Sequence, residues 1–300
     1  MQEFPQWKRE LPAVPHKLFH EPLELLVKFY TEHIERDTTS GRLTPLDSWI
    51  MLRGFLVGAM QTYASICVLL AEKRPKRLML QAAILNRALF EVLATVVALT
   101  EDLAPRTQVL AREYYKGYAE RHAHWVARFG SNPKWIEYLE VYRQGRSIIA
   151  RKLNLPPELE HNPGAIKDTW PTPGLMVYGR AKSSIPPFVS GTRLAVLKEI
   201  YESHYSHLSQ QAHARVAAMA MAMLVDDPSL QWNPGSGESD IILTALLFMA
   251  CILCEIESVG GYAHHPKLAE LWLYLRELHD EPKELWDIRY EKLSSGTKLP

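Results

Sequence analysis

The sequence predicts an all-α fold, a single-domain multi-helix bundle of eight or nine helices. Apolar residues recur at helical spacing in several long stretches, and no segment shows the alternation of apolar and polar residues that is typical of a half-buried strand. Prolines and glycines concentrate between these stretches, where they begin or end helices. Hydrophobic residues make up 47% of the 300, which is enough for a sizeable core.

The individual helices follow from start and stop signals along the chain. Residues 1–17 carry three prolines and should run extended over the surface. Thr44 can cap a helix that has Pro45 and Asp47 in its first turn, and Pro75 ends that helix. Comparable signals bound the other helices. The predicted helices span residues 22–36, 46–73, 77–101, 105–130, 133–153, 199–226, 240–258 and 266–279, with a short last helix from residue 282.

Residues 154–191 form a long Pro-rich segment that interrupts the helical pattern. Seven prolines in this segment leave room only for short helical turns. The segment also contains Trp170, Met176 and Tyr178, which are residue types that disordered linkers lack. We therefore expect an ordered, irregular cover over the helical core, within one helical domain that spans residues 1–300.

Composition and cysteine usage predict a cytoplasmic protein without membrane contact. The 34 basic and 34 acidic residues cancel, so the chain shows no strong DNA-binding signal, although local patches are compatible with this balance. Cys67, Cys251 and Cys254 lie in apolar runs, as buried thiols do in a reducing compartment. The longest apolar run, residues 241–254, is too short to span a bilayer and continues into Glu255.

Residues 199–226 carry the most informative polar pattern. On a helix, Tyr205, Ser209 and His213 are spaced at i, i+4 and i+8 and share one face. The following run of alanine and methionine, residues 216–224, has no polar side and should be buried all round. A polar stripe at one end of a buried helix predicts a functional site.

Arg87 and Glu91 form a second polar feature, four residues apart in the most apolar part of their helix. The sequence predicts that both charges are buried, and buried charges need partners because isolated ones are very costly. One interpretation is an internal salt bridge that fixes helix packing. The other is a buried polar pocket between this helix and the face that carries Tyr205, Ser209 and His213.

The pocket hypothesis assigns chemical roles to these side chains. His213 would act as a general acid or base near neutral pH, and Glu91 would orient it. Ser209 would donate a hydrogen bond or act as a nucleophile. Arg87 is predicted as the fourth catalytic residue. Four further residues are predicted to bind the ligand: Tyr205, Asn86, His204 and Gln210.

Two segments of the chain resemble a bacterial family of helical proteins of unknown function. They are residues 86–91, Asn-Arg-Ala-Leu-Phe-Glu, and residues 205–213, Tyr-Ser-His-Leu-Ser-Gln-Gln-Ala-His. The family pattern is an Arg-x-x-x-Glu helix followed much later by a Tyr-x-x-Leu-Ser-x-x-x-His helix. The resemblance extends over about residues 50–260 and transfers no established activity. It implies one site made of Arg87, Glu91, Tyr205, Ser209 and His213.

The sequence predicts neither a metal site nor a cofactor. A di-iron bundle needs Glu-x-x-His pairs on two helices, and this spacing occurs only from Glu158 to His161, in the Pro-rich segment. A specific metal site needs several convergent ligands. Two pairs at helical spacing, each without a matching third ligand, stay open as metal ligands: His204 with His207, and Glu120 with His124.

The predicted helix 105–130 mixes aromatic residues with cations, a composition that can stack on nucleic-acid bases. We interpret it instead as the partly exposed face of an amphipathic helix. The residues concerned are Arg112, Tyr114, Tyr115, Tyr118, Arg121, His122 and His124.

Two functional hypotheses follow. In the first, the chain is a metal-independent hydrolase or nuclease, a bacterial defence or stress effector that acts on a small molecule or RNA. The nuclease version rests on analogy with helical ribonucleases of toxin and anti-phage systems, whose Arg and His spacing on one helix has no counterpart here. In the second, the chain is a non-catalytic module that binds a ligand or partner, and its polar stripe is structural. A homodimer is an open alternative to a monomer in both.

Overall fold

The computed structural model shows an all-α fold. It describes residues 16–43, 46–71, 78–152, 155, 159, 162–166, 170–179, 187–205, 234–262, 265–278 and 280–291. These ranges contain no strand, which confirms the all-α prediction. They contain ten α-helices, where the sequence predicted eight or nine in all.

In chain order, the α-helices are α1 (His16–Thr39), α2 (Leu46–Ala71), α3 (Met79–Glu101), α4 (Leu103–Phe129), α5 (Pro133–Lys152), α6 (Pro173–Tyr178), α7 (Gly191–Ile200), α8 (Pro234–Gly260), α9 (Pro266–Leu278) and α10 (Asp280–Leu285). A 3-10 turn spans Pro163–Ala165, and two π-helical turns span Tyr201–Tyr205 and Trp286–Tyr290.

Prolines and glycines set several of these boundaries as predicted. Helices α5 and α9 begin at Pro133 and Pro266, because the fixed φ of proline suits the first helical turn. Gly261 follows the end of α8 with a φ of 63°, a left-handed conformation that favours glycine. Gly41, which follows the end of α1, has a φ of 75° and adopts the same left-handed conformation.

The chain divides into two compact units: residues 1–101 with 173–300, and residues 102–172. The hydrophobic pattern did not indicate this division, because α3 and α4 follow each other with only Asp102 between them. The prediction of a single domain stays a prediction, since two compact units can belong to one domain.

Helix α8 forms the core of the larger unit. From Ala245 to Ile256, every side chain is at most 3% exposed. Helices α1, α2, α3 and α9 pack against it, so α8 is covered on all sides, as expected for a helix without a polar face. The sequence assigned the fully buried role to residues 216–224, but that run lies outside the described residues.

The smaller unit is built on the hairpin of α4 and α5. Its core contains Tyr115, Ala119, Ala150 and Ile166, each at most 3% exposed. Leu155 and Leu159, from the Pro-rich segment, pack against this core together with Ile149. The two helices approach closely at Gly145 of α5. A Cβ at this position would lie 2.7 Å from the Tyr118 hydroxyl of α4, so glycine leaves room for that side chain.

The Pro-rich segment 154–191 contains short helical turns, as predicted. Its residues up to 172 belong to the smaller unit, and those from 173 onward to the larger one. Met176 and Val177 in α6 are buried, and the amide of Phe188 donates a hydrogen bond to the carbonyl of Met176 at 2.9 Å. That the whole segment forms one cover stays a prediction.

Among the described residues, three helical stretches are long and apolar enough to cross a membrane, by length and composition. They are Asp47–Ala71, Met79–Glu101 and Ser239–Gly260, whose apolar windows are 39%, 61% and 83% buried inside the protein. Residues 241–254 alone are too short for a span, but they lie in the apolar stretch Ser239–Gly260 of α8, which is 22 residues long. Length therefore does not exclude a span, and the absence of membrane contact stays a prediction.

A buried ion cluster ties α8 to three other parts of the larger unit. Glu255 in α8 is 0% exposed. Arg289 donates from Nε to its Oε1 at 2.5 Å and from Nη2 to its Oε2 at 2.9 Å, a bidentate pair. Arg193 Nε and Thr100 Oγ1 donate to Oε2 at 3.3 and 2.9 Å. We call these four residues the Glu255 cluster.

The Glu255 cluster keeps its carboxylate ionised inside the protein. Burial by itself would raise the pKa of Glu255, but the charge and hydrogen bonds of Arg289, followed by Arg193, hold this pKa below its ordinary value. Thr100 lies in the last turn of α3, Arg193 in the first turn of α7 and Arg289 in the second π-helical turn, so one carboxylate links three elements to α8.

We expect Arg289→Met to lower the free energy of unfolding by about 3–5 kcal/mol, because it leaves a buried carboxylate with one weaker cationic partner. Arg53→Met is the matched control. It removes an exposed pair with Glu35 and should cost about 0–1 kcal/mol. Urea unfolding measures both. Equal costs for the two variants would contradict the assigned role of Arg289.

The same cluster predicts a pH dependence of stability. A folded-state pKa below the unfolded one gives stability that is present above the unfolded pKa and is lost as the pH falls through the folded value. Stability should therefore decrease as the pH falls below about 4.3, the ordinary value for glutamate. In Glu255→Gln this loss should be smaller, as measured by urea unfolding over a pH series. An unchanged pH profile would contradict the ionised state of Glu255.

Candidate functional site

The structure describes five of the eight predicted site residues: Arg87, Glu91, Asn86, His204 and Tyr205. Ser209, Gln210 and His213 lie outside the described residues, as does His207. Their predicted roles therefore stay predictions.

Arg87, Glu91 and Tyr205 meet in the structure, although Tyr205 is 114 residues away from Glu91 in the sequence. Arg87 Nε lies 3.2 Å from Glu91 Oε1, one helical turn further along α3. The Tyr205 hydroxyl donates to the same Glu91 oxygen at 3.3 Å. The guanidinium carbon of Arg87 lies 5.6 Å from the centre of the Tyr205 ring. We call these three residues the Arg87 cluster.

An aromatic group holds Tyr205 in this position. Phe90, adjacent to Glu91 in α3, is fully buried, and its ring centre lies 4.8 Å from that of Tyr205. Phe90 also contacts Phe248 of α8 at 5.7 Å. Burial raises the pKa of Tyr205 above its ordinary value against the opposing hydrogen bond of Arg87, so the phenol stays protonated near neutral pH and can donate.

The prediction that both charges are buried is wrong for Glu91, whose side chain is 46% exposed, while that of Arg87 is 22% exposed. In the described residues, the Arg87 cluster lies at the surface rather than in a buried pocket. The reason is that Ala88 and Ile84, one and two turns before Glu91, also face solvent. Apolar residues next to a charge in the sequence do not show which side of the helix is covered.

Asn86 makes a structural contact, and its predicted ligand-binding role stays a prediction. It is 1% exposed, and its Nδ2 donates to the carbonyl oxygen of Ile241 at 2.8 Å. Asn86 therefore joins α3 to the first part of α8.

His204 contacts the C-terminal part of the chain. Its Nε2 lies 2.8 Å from Oε2 of Glu281 in α10, and both side chains are 23% exposed. Ser203 Oγ donates to the other oxygen of Glu281 at 2.6 Å. His204 is thus held one residue before Tyr205 by a carboxylate that sequence reasoning missed. No local spacing signals this pair, because 77 residues separate its members.

Metal ligands do not converge in the described part of the chain, where no group of three or more His, Cys, Asp or Glu side chains could hold an ion. Glu120 and His124 are both exposed on α4. The pair of His204 with His207 has one member outside the described residues.

Residues 50–229 match the model of a family described as "Family of unknown function (DUF5677)". This match covers more than half of the chain. The chain belongs to the DUF5677 family. No curated protein and no solved structure matches it.

Membership of the DUF5677 family confirms the resemblance to a helical family of unknown function, and the family description states no activity. The match contains the whole Arg87 cluster and the positions of Ser209 and His213. It ends at residue 229, before α8, whereas the resemblance was expected to reach about residue 260. The two motifs and the bacterial origin stay predictions.

The exposure of the Arg87 cluster leads to a stability prediction. Glu91→Gln should cost less than about 1 kcal/mol, because half-exposed ion pairs contribute little to folding. Phe90→Ala, one position earlier, should cost about 3–5 kcal/mol, because it leaves a cavity in the core. Thermal or urea unfolding compares the two variants. A cost for Glu91→Gln as large as that for Phe90→Ala would show that the pair is structural.

Proposed function

We propose that this DUF5677 protein is a metal-independent hydrolase of the nuclease type that acts on phosphodiesters from a site around the Arg87 cluster. The observation that carries the proposal is the convergence of Arg87, Glu91 and Tyr205 from two distant elements on a partly exposed surface. A substrate can reach this place, which a salt bridge sealed in the core would not allow.

The cluster offers the groups that bind an anionic substrate. The guanidinium of Arg87 can bind phosphate oxygens, and such charge-assisted hydrogen bonds are strong. The protonated hydroxyl of Tyr205, which donates to Glu91 in the structure, would be a second donor once a substrate oxygen replaces Glu91 as its acceptor. Donors held in place before the reaction stabilise the charge that develops in the transition state, which is commonly the largest catalytic effect.

The acid–base chemistry is assigned to Ser209 and His213. They follow Tyr205 by four and eight residues, and helical spacing would place all three on one face. His213 would move the proton, Glu91 would orient its imidazole, and Ser209 would donate a hydrogen bond or act as the nucleophile. This assignment rests on sequence spacing alone.

The test uses the purified full-length protein in EDTA with labelled single-stranded RNA, labelled single-stranded DNA and bis(p-nitrophenyl) phosphate. The wild type should cleave at least one substrate. His213→Ala should reduce the rate about a hundredfold to ten-thousandfold. Arg87→Gln should reduce it about a hundredfold to a thousandfold.

The matched control is Arg53→Gln, which changes an arginine on α2 whose partner is the exposed Glu35. It should cleave at the wild-type rate, and circular dichroism should show that all variants are folded. Wild-type rates in folded His213→Ala and Arg87→Gln, or no cleavage by the wild type, would contradict the proposal.

A defence or stress effector should cause growth arrest when it is overexpressed in a cell. His213→Ala and Arg87→Gln should relieve that arrest.

The alternative is a non-catalytic ligand-binding module. It is favoured by the pairing of Arg87 with Glu91, which occupies part of the guanidinium without any substrate. A binding module predicts that Arg87→Gln weakens ligand retention and that no variant changes turnover, since there is none to lose.

We also propose that the protein is cytoplasmic. Helix α8 already buries 83% of its apolar window inside the protein, and it carries the ionised Glu255. After ultracentrifugation of a cell lysate, the protein should remain in the supernatant. Recovery in a pellet that resists carbonate and dissolves only in detergent would assign it to the membrane.

A further inference from the structure

The hairpin of α4 and α5 carries a continuous row of aromatic rings beside its core. Tyr118 of α4 stacks on Tyr142 of α5 with ring centres 4.5 Å apart, and Tyr142 meets Trp125 at 4.8 Å. The row continues through contacts of 5.3 to 5.7 Å to a stacked pair with ring centres 4.3 Å apart. We call this row the aromatic strip: Tyr118, Tyr142, Trp125, Tyr138, Trp135 and Phe129.

The aromatic strip is partly open to solvent. Tyr138 is 45% exposed, and the other five rings are neither buried nor fully exposed. Apolar side chains beside the strip are exposed as well, with Ile136 at 57% and Val126 at 44%. A run of accessible rings flanked by apolar side chains is more than the scattered hydrophobic residues of an ordinary surface.

Positive charge concentrates on the same hairpin. Residues 103–152 contain ten Lys or Arg and four Asp or Glu, a formal charge of +6 in a chain whose net charge is 0. Arg128 lies over the Phe129 ring with its guanidinium carbon 5.3 Å from the ring centre. Burial and Tyr142 raise the pKa of Tyr138, and Arg121 lies close enough to oppose this shift.

The structure changes the interpretation of this region. Tyr115 and His122, which the sequence grouped with the cations, are 0% and 7% exposed and belong to the hairpin interior. Three of the accessible rings come from α4 and three from α5, so the sequence pattern of α4 alone could predict only half of this surface. The region is therefore a surface of two helices, to which the partly exposed face of the amphipathic helix α4 contributes one half.

We propose that the aromatic strip binds single-stranded RNA. Accessible rings stack on bases, and each stack is tolerant of sequence because every base has a flat face. The excess positive charge of the hairpin, with Arg128 and Arg121 next to rings of the strip, complements the phosphates of a polyanion. Bases inside a duplex are stacked on each other and cannot reach the rings, so a single strand fits and a duplex does not.

Two carboxylates on the hairpin favour RNA over DNA. Glu120 and Glu137 are exposed and repel phosphates, but they can accept hydrogen bonds from 2′-hydroxyl groups, which DNA lacks. A third carboxylate, Glu140, accepts two hydrogen bonds from Arg143, at 2.7 and 2.6 Å, and so engages a cation that could otherwise meet a phosphate. The aromatic strip lies in the smaller unit, residues 102–172. The RNA-binding proposal therefore does not depend on the hydrolase activity proposed for the Arg87 cluster.

Fluorescence anisotropy of labelled single-stranded RNA of mixed sequence tests the proposal with the full-length protein. Tyr138→Ala should weaken binding about five- to hundredfold, the effect of losing one base stack. Tyr114→Ala is the matched control, because Tyr114 is a 61% exposed tyrosine of α4 outside the strip, and it should bind as the wild type does. Gels of the same samples record whether the RNA stays intact, which separates binding from any cleavage.

Two charge variants test the electrostatic part without removing a ring. The double variant Arg121→Gln with Arg128→Gln should reduce the slope of log affinity against log salt by about 0.7 for each cation removed. Glu140→Gln should tighten binding, because it releases Arg143 from its carboxylate.

Several outcomes would overturn the proposal. They are the absence of RNA binding, equal losses in Tyr138→Ala and Tyr114→Ala, and weaker binding by Glu140→Gln. Equal affinity for single-stranded DNA would overturn the assignment to RNA, and equal affinity for duplex RNA would overturn the stacking. Binding to anionic lipid vesicles in place of RNA would assign the strip to a membrane surface.

Discussion

One buried carboxylate determines how the larger unit is arranged. Glu255 lies in the most covered part of α8, where an unpaired charge would be very costly, so Arg289 and Arg193 must reach it. Arg193 is in α7, and α7 continues directly into the π-helical turn that ends at Tyr205. The position of Tyr205 beside Arg87 and Glu91 therefore depends on an ion cluster that shares no residue with the candidate site.

The DUF5677 match does not contain all of this support. Thr100, Arg193 and the Arg87 cluster lie within residues 50–229, whereas Glu255 and Arg289 follow the end of the match. The carbonyl of Ile241, which accepts the hydrogen bond from Asn86, follows it too. In this chain, the segment that defines the family is held in place by residues outside it, so the C-terminal helices are part of the architecture of the site.

The two proposed surfaces share one kind of chemistry and differ in construction. At the Arg87 cluster, a single guanidinium is placed by an aromatic ring and paired with one carboxylate, as suits a site that positions one anionic group. On the hairpin, six partly exposed rings lie on two helices with a formal charge of +6, as suits a surface that binds along a nucleic-acid strand. The zero net charge of the chain conceals this local excess, because the remaining residues carry the balancing negative charge.

Local signals in the sequence, apolar periodicity with Pro or Gly at the ends, were enough to predict most of the long helices, although the helix predicted from residue 199 begins at Gly191. Helix α3 was predicted at 77–101 and spans Met79–Glu101. The sequence by itself also determined the pairing of Arg87 with Glu91, because residues four apart on a helix are neighbours. The exposure of Glu91 could not be predicted in this way, because it depends on which elements of the folded protein cover α3. Only the tertiary structure could join Glu255 to Arg289, 34 residues away, because no local spacing encodes a contact between separate helices.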